Sequence, residues 1–207
     1  MTTAQTAKTQ YIDATNGVKF TYRRISRSAG VPLVMHIHFR GSMDFWDPAL
    51  LNALGAARPV IIFDQVGVGR STGEIPTTFK EWADNLIVFT IALSIAEIDL
   101  LGFSMGGAAA QVVALTAPKL IRRLILAATS TSVPDNTVTY VPGIVWPCET
   151  ALPKLSKHSQ RRLLPSPVLL IYPSPNDTIS HEAAKAYWNR IQERNVAGEP
   201  RMFQLPQ

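Results

Sequence analysis

The sequence predicts an α/β fold, a mostly parallel twisted sheet with helices on both faces, from three observations. Apolar runs at 31–37, 59–63, 98–101 and 121–127 have the near-continuous hydrophobicity of strands buried on both sides. Segments with helical patterning separate them, so strand and helix alternate along the first 130 residues. The loops after Ile37, Phe63, Phe103 and Ala127 follow the four strands in turn. In such a sheet they all emerge at the carboxyl edge, where ligands bind.

Taken in order, Tyr11 to Ser26 reads as two short strands around a turn at Asn16-Gly17. Ser28-Ala29-Gly30 breaks the second. Val31 to Ile37 is the first buried strand, and it runs into the loop His38-Phe39-Arg40-Gly41-Ser42. Trp46-Asp47-Pro48 then starts a helix over Ala49 to Ala57, with Pro48 suited to the first turn. Pro59 to Phe63 is the next strand. The loop Asp64 to Gly73 that follows is glycine-rich, yet it lacks the third glycine of a dinucleotide fingerprint and the Gly-Lys-Ser/Thr of a P-loop. Thr78 to Ala96 reads as an amphipathic helix, Ile98 to Leu101 as a strand, and Ile121 to Ala127 as another.

Composition narrows the classes. The chain has 207 residues, 46% of them hydrophobic and 17% charged, which suits a globular core and not a disordered chain. The formal net charge is +5, but the basic residues are scattered or paired, so nucleic acid is not an expected partner. The one cysteine, Cys148, excludes an intrachain disulfide, and no Cys/His spacing points to metal. No cofactor is expected. The polar start and the lack of a long apolar stretch give the expectation of a cytoplasmic protein that does not cross a membrane.

The chemistry concentrates in Gly102-Phe103-Ser104-Met105-Gly106-Gly107. A strand precedes it and the helix formers Ala108 to Leu115 follow, so Ser104 falls on a tight strand-to-helix turn. A serine there is exposed above the sheet near the positive end of a helix, as a nucleophile requires.

With the loop His38-Phe39-Arg40-Gly41, the stretch Phe63-Asp64 through Gly67-Val68-Gly69-Arg70-Ser71, and this elbow, the chain resembles the α/β-hydrolase superfamily from about Tyr11 to Thr131. Within it, the similarity is to small esterases and cofactor-free haloperoxidase-like hydrolases. The resemblance implies Ser104 as nucleophile, with the backbone N–H groups of Met105 and Phe39 as oxyanion donors. Most members have glycine where this chain has His38, which places an imidazole at the active-site edge, within reach of a ligand. Phe39, Trp46, Met105 and Trp146 suggest an apolar acyl or aromatic portion in the substrate. An ester or lactone cleaved through an acyl-Ser104 intermediate is the implied reaction. A small-molecule binder, lyase or cyclase on the same fold is the alternative, as is a truncated, inactive product.

The second half allows two readings. The core is expected over 1–132, and 133–207 as an irregular Pro-rich connection plus a helix. In one reading Pro167 to Tyr172 is the next core strand, Asp177 the triad acid, Glu182 to Glu193 a helix and Arg201 to Leu205 the last strand. In the other, the segment begins a cap, Asp177 is a cap-loop residue, and the last strands are shortened or missing. Neither puts a histidine at the family's position. His158, His181 and Asp135 are stand-ins that geometry must judge, and His36 is expected to be a packed strand residue. An uncovered sheet edge would favour a homo-oligomer.

Overall fold

The computed structural model describes residues 2–26, 29–38, 41–129, 178–194 and 196–199. The described residues form two units, one holding 2–129 with 190–194 and 196–199, the other the remainder of the last helix.

The strands are β1 (Gln10–Asp13), β2 (Lys19–Ile25), β3 (Leu33–His36), β4 (Val60–Asp64), β5 (Ile98–Phe103) and β6 (Ile121–Ala127). The helices are α1 (Pro48–Ala57), α2 (Phe79–Ala92), α3 (Met105–Thr116) and α4 (Thr178–Gln192). Sheet order is β1-β2-β4-β3-β5-β6. The β4-β3-β5-β6 part is parallel, and β1 and β2 join it antiparallel. The turn at Asn16-Gly17 joins β1 to β2, with Gly17 at φ +80.

Alternation along the strands sorts side chains to two faces. Phe20, Tyr22, Val34, Ile61, Phe63 and Leu100 pack with Ala83, Leu86 and Phe89 of α2 and Ala110 and Val113 of α3. Phe63 and Phe89 stack with ring centroids 4.6 Å apart, a pair contributing about 1 kcal/mol beyond its buried area. On the other face Ile25, Leu33, Met35, Val60 and Ile62 pack with Leu51 of α1, Met43 and Trp46. Helices therefore cover both faces, as the sequence predicts.

Local chemistry sets the helix ends. Asp47 accepts from Ala49 N–H at 2.9 Å to cap α1. Thr78 and Glu81 form a reciprocal capping box on α2. That helix is shorter than the expected Thr78 to Ala96: Ser94 takes φ +55, which stops it, and Ile95 N–H turns back to Thr90 O at 3.1 Å. A single 3₁₀ turn, Met43–Phe45, precedes α1. It has too few residues to show a period in sequence.

At the amino edge of β5, Asp99 is inaccessible to solvent and accepts Arg122 Nε and Nη2, each at 2.9 Å, with Arg58 Nη2 on the same carboxylate. The Arg122 hydrogen bonds lead in lowering its pKa from 3.8 to about 2. A lowered carboxylate adds stability above its unfolded pKa and loses it as pH falls through the folded one. Asp99 thus contributes up to about 2 kcal/mol at neutral pH, lost between pH 4 and 2. Asp99→Asn should therefore lower the urea midpoint at pH 7, with the difference from wild type closing near pH 2. A difference independent of pH would contradict this.

Among the described residues β6 is an edge strand, with Leu124, Ile125 and Leu126 between 37% and 44% exposed. No helix among the described residues is long and apolar enough to cross a membrane.

Candidate active site

Strand order reverses around β3, which has β4 on one side and β5 on the other. The crevice at a parallel sheet's carboxyl edge lies at such a switch point. The register sets His36 of β3 opposite Gly102 of β5. Ser104 follows directly on β5, and His38 lies two residues past the end of β3.

Ser104 has φ 56 and ψ −121 and caps α3 without a side-chain hydrogen bond to it. Its backbone is fully engaged: N–H donates to Ala127 O of β6 at 2.9 Å, and C=O accepts Gly107 N–H at 2.9 Å. The left-handed φ at a non-glycine residue stores about 1–3 kcal/mol of strain. Ser104→Gly should accordingly raise stability by about 1 kcal/mol, read from urea unfolding. A glycine variant less stable than wild type would remove the strain argument.

Three glycines allow the elbow to close. A Cβ on Gly102 would lie 2.5 Å from Gly107 Cα, one on Gly106 2.3 Å from His36 O, and one on Gly107 2.6 Å from Thr129 Cβ. Strand and helix thus meet backbone to backbone. Met105 supplies the first amide of α3, which by position has no intrahelical acceptor and sits at the positive end of the helix dipole. Ser104 and Met105 are each half-buried.

His38 is half-buried, its ring edge-on to Phe103 (5.7 Å) and Phe45 (6.0 Å). Trp46 packs on Phe103 from the α1 side at 6.2 Å. The apolar floor beside Ser104 is therefore aromatic.

His36 is a core residue. It is fully buried between Phe63 and Trp82 and contacts the Gln65 amide, and burial lowers its pKa from 6.5 to about 3. It stays neutral and supports α3 from below.

The loop after β4 is structural. Asp64 accepts Met43 N–H at 2.7 Å and Arg70 N–H at 3.0 Å, and Gly69 at φ +60 packs against its carboxylate. Burial raises the Asp64 pKa, the two amide bonds opposing it. Sequence reasoning missed the neighbouring buried ion network, in which Asp44 binds Arg23 and, at 3.1 Å, Arg70. An inward Arg23 within an alternating strand was the available signal.

Phe39, Asp177, Asp135, His158 and Trp146 lie outside the described residues, as do 167–172 and 201–205. His181 falls within α4, but only its backbone is described. Among the described residues no group of three or more His, Cys, Asp or Glu could hold a metal ion.

A doubly covered, mostly parallel sheet with a strained strand–serine–helix turn at its carboxyl edge defines a class of α/β protein. The sequence model of the alpha/beta hydrolase fold matches residues 31–192, and the chain belongs to that family. It is 35% identical over 99 residues to a Yersinia enterocolitica protein named "Putative carbamate hydrolase RutD", covering 47% of this chain and 35% of that one. It is 28% identical over 127 residues to a proline iminopeptidase of Heyndrickxia coagulans, covering 60% and 44%. An alpha/beta hydrolase fold protein from Chitinophaga pinensis superposes with a TM-score of 0.72 at 32% identity, covering 92% of this chain and 64% of that one. The matches span 35% and 44% of the length of these two curated relatives.

Proposed function

We propose that the protein hydrolyses a small apolar ester or lactone through an acyl-Ser104 intermediate. The observation that carries this reading is the backbone of Ser104, at φ 56 and ψ −121 between β5 and α3. Such strain persists where the surrounding structure enforces it, and a strand–helix turn of this kind favours a hydroxyl exposed at the sheet edge.

In this account Ser104 Oγ attacks the substrate carbonyl carbon and loses its proton to a base. The carbonyl π electrons move onto oxygen. Met105 N–H stabilises that oxyanion, joined by Phe39 N–H as the resemblance implies. Collapse re-forms the carbonyl and expels the alcohol, which takes up a proton. Water then cleaves the acyl-enzyme by the same route. The family's order gives Asp177 the role of orienting acid. His38, just past the end of β3 and set among Phe45 and Phe103, contacts the bound substrate in this account. Membership of a hydrolase family supports a hydrolytic reaction, and the aromatic floor supports an apolar acyl group.

The test is the time course of p-nitrophenolate release from p-nitrophenyl butyrate at high protein concentration. A burst stoichiometric with the chain, absent from Ser104→Ala, is expected. An equal burst in the variant would overturn the proposal.

A further inference from the structure

A small cavity of about 30 Å³ lies on the α1 face, with Arg23, Asp44, Trp46, Leu51 and Arg194 in its lining. Two of those residues carry buried N–H donors without a partner, Arg23 Nη2 and Trp46 Nε1. Arg23 is 2% and Trp46 7% exposed. A buried donor left unsatisfied costs about 1–3 kcal/mol, so the pair calls for an acceptor.

Nearby acceptors on Asp44, Ala4, Gln5 and Thr9 each already take a hydrogen bond from another group. Asp44 Oδ1 takes Arg23 Nη1, and Oδ2 takes Arg70 Nη1 at 3.1 Å. Ala4 O accepts Arg194 Nη1 at 2.9 Å, and Gln5 Oε1 accepts Asn52 Nδ2 at 3.0 Å. Thr9 Oγ1 accepts Arg23 Nε at 3.0 Å and itself donates to Glu199. Burial, and then the charge of Arg23, lower the Arg194 guanidinium from its ordinary value, so two like charges stand beside the same cavity. Three guanidinium groups (Arg23, Arg70, Arg194) face the carboxylates Asp44 and Glu199, with Asp64 behind Asp44.

Size and chemistry limit the occupant. The space admits one or two water-sized particles, so a small occupant fits it best. Each water that filled it would bring two protons needing acceptors of their own beside these donors. A monatomic anion accepts and donates nothing.

We propose that this cavity binds one halide ion, chloride in solution, through Trp46 Nε1–H and Arg23 Nη2–H with Arg194 alongside. Bound there, the ion fastens the 190–199 segment to the core through Arg194. It also steadies Trp46, whose ring packs on Phe103, the residue before Ser104.

The test compares the melting temperature of the full chain in sodium chloride and in sodium gluconate at equal ionic strength. Chloride should raise it by about 2–4 °C. Trp46→Phe removes one donor and keeps the ring, and should lose most of that difference, while general salt effects act on both proteins and cancel. A bromide-soaked wild-type crystal should show an anomalous peak between Trp46 and Arg23, which decides the matter even if the variant fails to fold. Equal melting in the two salts, an undiminished chloride effect in Trp46→Phe, or water alone in the bromide-soaked cavity would overturn the assignment.

Discussion

Ser104→Ala is expected to abolish the p-nitrophenolate burst and to lower steady-state hydrolysis by roughly 10³- to 10⁶-fold, leaving the fold intact. The spread reflects how nucleophile and base act together: once one is gone, the other adds little. What remains is the contribution of the Met105 amide and of substrate binding, since neither needs the hydroxyl. Circular dichroism and the urea midpoint should stay near wild type, because Ser104 holds the elbow through backbone N–H and C=O, and alanine keeps both. Retained turnover in a folded alanine variant would remove Ser104 from the chemistry while leaving the fold assignment untouched.

The second large effect is on stability. Gly106→Ala would place a methyl group 2.3 Å from His36 O and 2.5 Å from Ile37 O. Both obstacles are backbone atoms of β3 and its exit, so no side chain can swing away. Helix α3 would have to withdraw from β3, loosening the layer that holds Ala109, Ala110 and Val113. We expect a loss of about 3 kcal/mol or more, measured by urea denaturation. A Gly106→Ala protein as stable as wild type would mean that α3 and β3 do not approach as described.

The same contacts explain why the elbow was legible in sequence. Each small residue in Gly102-Phe103-Ser104-Met105-Gly106-Gly107 answers a steric demand, so the pattern reports the geometry directly. β6 was equally legible, because Ile121 to Ala127 is a continuous strand-forming run with Pro118 shortly before it. Other features depend on partners distant in sequence. Arg23 is buried because Asp44 and Thr9 meet it, 21 and 14 residues away. The early end of α2 depends on the left-handed Ser94, which residues otherwise suited to a helix do not announce. His36 looked like one more strand residue, and only the packing of Phe63, Trp82 and Gly106 around it shows why it is neutral and inert. At the site itself, Ser104 and Met105 stand at the head of α3 and His38 just past the end of β3, and the β3–β5 pairing that sets those strand ends side by side is encoded by no local motif.

The central claim is that Ser104 is a reactive nucleophile held ready by its backbone. Its most direct test is to treat the folded chain with a fluorophosphonate and locate the adduct by peptide mass spectrometry. The account predicts a single adduct on the peptide carrying Ser104, absent from Ser104→Ala. A folded wild-type chain that stays unmodified, or an adduct on another residue, would contradict it.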